Sequence, residues 1–198
     1  MINKNRWVLA SNNQHKLEEI QDQFPTNIEL ISLKEIGFSE EIVEDADTFK
    51  GNALIKAKRL YEYSGLPSLA DDSGLCVKAL NYGPGVHSAR YANTVGPVNH
   101  SLNNKKLLNE LYEVSDRSGY FITVLCLVGL TNEPLYFEGK VHGTIGRKEM
   151  GEDGFGYDPL FIPDGYSKTF AELGSGIKNK LSHRSNALKE LKNYFQWV

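Results

Sequence analysis

Short apolar runs alternate along this chain with stretches of helical spacing. Trp7-Val8-Leu9-Ala10 is apolar at consecutive positions, as expected of a strand buried on both faces. Leu17, Ile20 and Phe24 follow at helical spacing, and Ile28 to Leu33 reads as a second strand. Thr48 to Tyr63 predicts a helix with Phe49, Ala53, Ala57, Leu60 and Tyr61 on one face. Leu66 to Ala70 is an apolar strand that ends in Asp71-Asp72-Ser73-Gly74. Asn99 to Tyr112 predicts another helix, with Leu107, Leu108 and Leu111 inward. Phe121 to Leu130 is almost continuously apolar and predicts a central strand. Thr131 to Pro134 turns it, and Leu135 to Ile145 returns as an antiparallel partner. Leu160-Phe161-Ile162 is a short strand, and Leu181, Leu188, Leu191 and Phe195 mark a C-terminal helix. The alternation predicts an α/β protein. Without a repeat, a low-complexity segment or a linker, residues 1–198 read as a single domain, with room for two lobes.

The bulk chemistry narrows the function classes. A chain of 198 residues with 40% hydrophobic and 24% charged residues can bury a full core. Lys and Arg number 22 against 25 Asp and Glu, a net charge of −3. That balance argues against a protein that coats nucleic acid, and leaves room for a basic pocket holding a small anion. Cys76 and Cys126 each sit in an apolar run and are expected to be buried reduced thiols. The N-terminal apolar run is too short for a signal-peptide core, and no stretch reaches membrane-spanning length. A cytoplasmic protein without a membrane partner is expected.

Five segments carry candidate chemistry. Ser11-Asn12-Asn13-Gln14-His15-Lys16 lies at a strand-to-helix junction. Free N–H groups and the dipole favour an anion there, and Lys16 adds a full charge. The competing reading is an asparagine N-cap and a solvated lysine. Glu40, Glu41, Glu44, Asp45 and Asp47 precede the Thr48 helix, where acids complement the dipole and one or two can reach a cation. Asp71-Asp72-Ser73-Gly74 doubles a carboxylate at a strand end, the kind of hard oxygen donor that holds Mg²⁺ beside a phosphate. Its alternative is an Asp-Ser-Gly turn. Gly151 to Pro159 combines three glycines with Phe155, Tyr157 and Asp158. It can stack and hydrogen-bond a base, or it can be a plain loop with two aromatics in the core. In Lys178 to Arg184, Ser182 is a candidate N-cap that puts His183 and Arg184 in a first helical turn, the end where the dipole disfavours cations. His87 and Arg90 are further pocket candidates, while His100 and His142 read as residues without a role.

Taken in order, these segments resemble the non-canonical purine NTP pyrophosphatases, enzymes that act on ITP, dITP and XTP. The matching stretches are Ser11 to Lys16, Thr48-Phe49-Lys50-Gly51-Asn52-Ala53, Ala70 to Gly74, Pro84 to Tyr91, Gly154 to Pro159, and Ser182-His183-Arg184. The resemblance implies a long mixed twisted β-sheet flanked by helices, two lobes with a central cleft holding the nucleotide, and a homodimer. It implies that Ser11, Asn12, Asn13, Gln14, His15 and Lys16 contact the triphosphate. Glu44 and Asp72 match the metal positions, with Mg²⁺ as the cofactor; Asp72 also matches the general base, and Ser73 a substrate contact. Phe155, Gly156, Tyr157 and Asp158 frame base and sugar, and Lys178, His183 and Arg184 read the base. Two positions depart from the family pattern: Asn12 stands where a glycine is frequent, and Gly51 where a glutamate is common.

The resulting expectation is hydrolysis between the α and β phosphates, with Asp72 deprotonating the attacking water and Lys16 offsetting phosphate charge. Donors on His183 and Arg184 suit a 6-oxo purine and oppose the 6-amino group of adenine. Two alternatives stand beside it: a pyrophosphatase for modified pyrimidine nucleotides, and a nucleotide-binding module without turnover.

Overall fold

The computed structural model describes residues 5–11, 13–92 and 96–197, and of Gln14 the backbone only. Among them, the strands are β1 (Arg6–Ala10), β2 (Glu29–Ile31), β3 (Ser68–Val77), β4 (Ser118–Val128), β5 (Leu135–Ile145) and β6 (Phe161–Pro163). The helices are α1 (Gln14–Gln21), α2 (Phe49–Ser64), α3 (His100–Glu110), α4 (Phe170–Leu173), α5 (Ser175–Leu181) and α6 (His183–Phe195). The strands form one mixed sheet in the order β2-β1-β3-β4-β5-β6. β1 pairs parallel with β2 and with β3, the latter in the register Val8 to Ser68 and Ala10 to Ala70. β5 and β6 pair antiparallel, with Ile145 opposite Phe161.

Two compact units share the chain. The first holds residues 1–72, 123–139 and 187–198, and the second holds 73–122 and 140–186. The chain crosses from one to the other within β3, β4, β5 and α6.

The first unit explains the unbroken apolar runs. Successive strand side chains point to opposite faces, and here both faces are covered. Trp7, Leu9, Leu69, Leu125 and Leu127 pack with Ile20 of α1 and with Ala187, Leu188 and Leu191 of α6. Val8, Ala10, Ala70 and Cys126 pack on the other face with Ala53, Ala57 and Leu60 of α2. In the second unit, Leu75, Val77, Phe121 and Ile145 of the sheet meet Leu107 on α3 and Leu111 at its C-terminal cap, together with Tyr157, Leu160, Phe161 and Phe170. Both cysteines are free and buried, and burial pushes the Cys126 thiol up to about 12.

Three expectations change. The Asp71-Asp72-Ser73-Gly74 stretch is not a turn at a strand end, because β3 continues through it to Val77. Polar residues interrupted the apolar signal but not the backbone ladder. Leu181 belongs to α5, and a break at Ser182 separates it from the C-terminal helix. The second strand is three residues long, from Glu29 to Ile31.

Candidate active site

The register of β3 sorts its two carboxylates. Leu69 faces α1 and α6, and Ala70 faces α2. One step further along the alternation, Asp71 meets α1 and Asp72 meets α2. Asp71, 1% exposed, pairs with Lys16 of α1 at 2.9 Å. Asp72 takes a hydrogen bond from the Asn52 side-chain amide at 3.3 Å and lies 3.5 Å from the Lys56 ammonium. Lys56 also holds Glu44 at 2.5 Å. A buried ammonium therefore bridges the two carboxylates, Glu44 and Asp72, within the first unit.

This setting controls the charges. Burial is the largest influence on Asp72 and pushes its carboxyl up from 3.8 to about 6; Lys56 and Lys16 act against the rise, while Glu44 and Asp71 add to it. Burial acts to lower Lys56, but the carboxylates of Asp72, Asp71 and Glu44 outweigh it and hold the ammonium above its ordinary value. Asp72 is thus a carboxylate with little water around it and a proton affinity near neutrality, which suits a general base.

The first candidate segment sits at the head of α1. Asn13 caps the helix, its side-chain oxygen accepting from the N–H groups of His15 (3.1 Å) and Lys16 (3.3 Å). The Ser11 hydroxyl accepts from the Asn13 N–H at 3.1 Å. The capping reading of Asn13 therefore holds, and Lys16 contributes through its side chain rather than through a free amide. His15 is exposed. Asn12 and the Gln14 side chain fall outside the described residues.

In the second unit, Asp158 is 2% exposed and its Oδ2 accepts from the Lys178 ammonium at 2.7 Å and from the Phe155 N–H at 2.9 Å. Lys178 stands 4.4 Å over the Phe155 ring. Gly154, at φ 80°, makes room for this arrangement: a Cβ there would lie 2.3 Å from Asp158 Oδ2. Phe155 is half-buried, with the His100 ring centroid 6.3 Å from its own. Tyr157 takes the core alternative, since it is buried and its hydroxyl donates to the Ser88 carbonyl at 2.8 Å. Ser182 caps α6, accepting from the Ser185 N–H at 3.2 Å, so His183 and Arg184 do open that helix. Arg184 is buried and donates to the Ser73 hydroxyl at 3.2 Å. His183 is stacked on Phe121, with centroids 4.8 Å apart and planes at 15°.

The other sequence candidates have surroundings of their own. His87 and Arg90 line a cavity of about 770 Å³ with Leu80, Tyr91, Lys106 and Glu110. Glu40 pairs with Arg59 on the exposed side of α2. Among the described residues, no three His, Cys, Asp or Glu side chains form a ready cation cage, and no helix is long and apolar enough to cross a membrane.

Residues 7–194 match the profile of the Ham1 family. The chain belongs to the Ham1 family. A dITP/XTP pyrophosphatase of Porphyromonas gingivalis is 46% identical over 190 residues, covering 96% of each chain. One from Clostridium tetani is 46% identical over 189 residues, covering 93% of each. The solved Ham1 protein of Coxiella burnetii superposes with a TM-score of 0.89 at 38% identity over the whole of both chains.

Within this Ham1 chain, two residues of the acidic cluster received no role from the sequence: Asn52, quoted there only as part of a matching stretch, and Lys56. The signal was present. Both lie on the face of α2 that carries Ala53, Ala57 and Leu60, and both are buried, so a lysine and an asparagine stand in an apolar stripe. Polar groups on such a face need partners, and the nearest candidates in sequence were the acids before Thr48.

Proposed function

We propose that this chain hydrolyses the non-canonical purine nucleoside triphosphates ITP, dITP and XTP to the nucleoside monophosphate and diphosphate, clearing them from the nucleotide pool. Membership of the Ham1 family and the dITP/XTP pyrophosphatases among its relatives support this reading. The observation that carries the mechanism is the set of Asp72, Glu44 and Lys56, in which one buried ammonium holds a buried carboxylate and an exposed one.

The donor set fits a divalent ion. Glu44 and Asp72 offer hard carboxylate oxygens, both within reach of the Lys56 ammonium. Mg²⁺, held there by Glu44 and Asp72, would neutralise charge on the phosphates. The chain's own groups do the rest. Asp72 takes a proton from the water that attacks the α-phosphorus. Lys56 stays charged beside it, and Lys16, held by Asp71, balances developing phosphate charge. At the base end, Phe155 offers a ring face, and Arg184 and His183 bring donors for a 6-oxo purine. Ser11, Asn12, Asn13, Gln14 and His15 belong to the phosphate end of the same proposal, and Ser73, Gly156, Tyr157, Asp158 and Lys178 to the nucleoside end. Of these, Tyr157 and Asp158 act through their packing, since both are engaged inside the protein.

The same reading takes residues 1–198 as one catalytic domain, located in the cytoplasm and paired as a homodimer. Light scattering would show the dimer as a mass near twice 22.2 kDa. The activity itself is tested by incubating the protein with ITP, with and without Mg²⁺, and resolving the products. IMP and diphosphate formed only with the metal are expected. IDP with orthophosphate, or ITP left intact, would overturn the assignment.

A further inference from the structure

The two carboxylates assigned above to a divalent ion repel each other, yet they come from separate parts of the chain: Asp72 from β3, and Glu44 from the segment that leads into α2. Something neutral must set their spacing when the ion changes the charge balance. Asn52 is 3% exposed, and both ends of its side chain are used. Its Oδ1 accepts from the Ala46 N–H at 2.9 Å, and its Nδ2 donates to Asp72 Oδ2 at 3.3 Å. The orientation is forced chemically. The Ala46 N–H can only donate, so the amide oxygen faces it and the NH₂ turns to Asp72. Aspartate at position 52 would set a third carboxylate against Asp72, and leucine would leave both partners unmet.

A second feature acts on the same joint. Gly51 sits in the first turn of α2, and a Cβ there would lie 2.6 Å from Ala46 Cβ. The absence of a side chain at position 51 therefore lets the acidic segment close onto Asn52.

We infer that Asn52 is a positioning residue, which fixes the Glu44 segment against Asp72 through the Ala46 amide and thereby sets the protein's divalent-ion affinity. Gly51 supplies the clearance for that contact. Lys56, one turn further along α2, holds the same carboxylates by charge; Asn52 holds their geometry. This inference rests on the metal reading of Glu44 and Asp72.

The test uses the full chain with Asn52→Ala and, independently, Gly51→Ala, which leaves the Asn52 amide intact and favours helix formation. Two readouts are taken on nucleotide-free protein: hydrogen exchange at the Ala46 amide, and Mn²⁺ binding by calorimetry. In both variants Ala46 should exchange at least about tenfold faster, with α2 beyond its first turn unchanged. Mn²⁺ should bind about 10- to 100-fold more weakly, as for other groups that orient metal ligands. With ITP, the Mg²⁺ concentration for half-maximal rate should rise in both variants. Wild-type exchange at Ala46, or faster exchange with unchanged Mn²⁺ affinity, would overturn the inference. A wild-type protein that binds no Mn²⁺ would instead sink the metal assignment, and with it the role of Asn52 toward the ion; the exchange readout would then report only the joint.

Discussion

Asp72 carries opposing demands in one side chain. It is buried enough to hold its proton more tightly than an ordinary carboxyl, and it must lose that proton to act as a base. The folded value near 6 lies above the unfolded 3.8, so the folded protein binds more protons between those values. Stability contributed by the protonated form is present at low pH and is lost as pH rises through about 6. Thermal unfolding of the metal-free protein from pH 4 to 7 should show a decline on the order of 2–3 kcal/mol from this group. Asp72→Asn should remove that slope, and a variant whose profile parallels wild type would clear Asp72 of responsibility. The same variant should lose about three orders of magnitude or more in kcat on ITP while remaining folded, because no other described acid occupies its place. Turnover close to wild type would remove Asp72 from the chemistry. At this scale the sequence named Asp72 and Glu44 through resemblance, but not their contacts. Which lysine faces which carboxylate depends on strand register and helix packing. Lys16 lies 55 positions from Asp71 along the chain, and no local pattern encodes that pairing.

At the scale of elements, α2 shows what local chemistry can fix. Thr48 caps it, with the hydroxyl accepting from the Gly51 N–H at 3.0 Å, and Gly65 ends it in the left-handed region at φ 67°. Both signals were readable as residue types. Thr48→Ala should lower stability by about 1 kcal/mol, measured as a shift in denaturant midpoint at constant slope. Since the cap sits beside Gly51 and Ala46, an unchanged midpoint would mean that packing alone sets this helix end. The loop from Gly151 to Pro159 depends instead on a distant partner. Lys178 of α5 neutralises Asp158, and Asp158 in turn holds the Phe155 amide. Lys178→Met keeps the side-chain bulk but leaves a buried carboxylate alone. A destabilisation of about 3–5 kcal/mol is expected, with a raised KM for ITP as the Phe155 ring loses its support. A melting temperature equal to wild type would show that Asp158 is protonated or solvated there. Sequence patterning found the longer elements because their faces repeat. It ended β3 too early because two aspartates break an apolar run, although the backbone ladder does not depend on side-chain polarity.

The whole molecule adds a division that no motif marks. Each unit has its own apolar clusters, and the chain changes unit inside strands rather than at a linker. Asp72 and Ser73 are neighbours in β3 yet fall in different units. The proposed donors for a 6-oxo purine, His183 and Arg184, predict discrimination by base rather than by phosphate. ITP and XTP should exceed ATP in kcat/KM by at least about 100-fold. GTP, dUTP and dTTP belong in the same panel, and equal values across it would refute base recognition. The sequence by itself determined the alternation of strands and helices, the buried thiols, the helix caps and the ordered set of motifs, because each follows from spacing and residue type within a few positions. Only the tertiary structure decided that Asp71 and Asp72 serve opposite faces, that Lys56 and Asn52 join the acidic cluster, that Asn13 occupies its own helix amides, and that Tyr157 belongs to the core. Those outcomes depend on which elements pack together, and packing is decided by burial across the chain rather than along it.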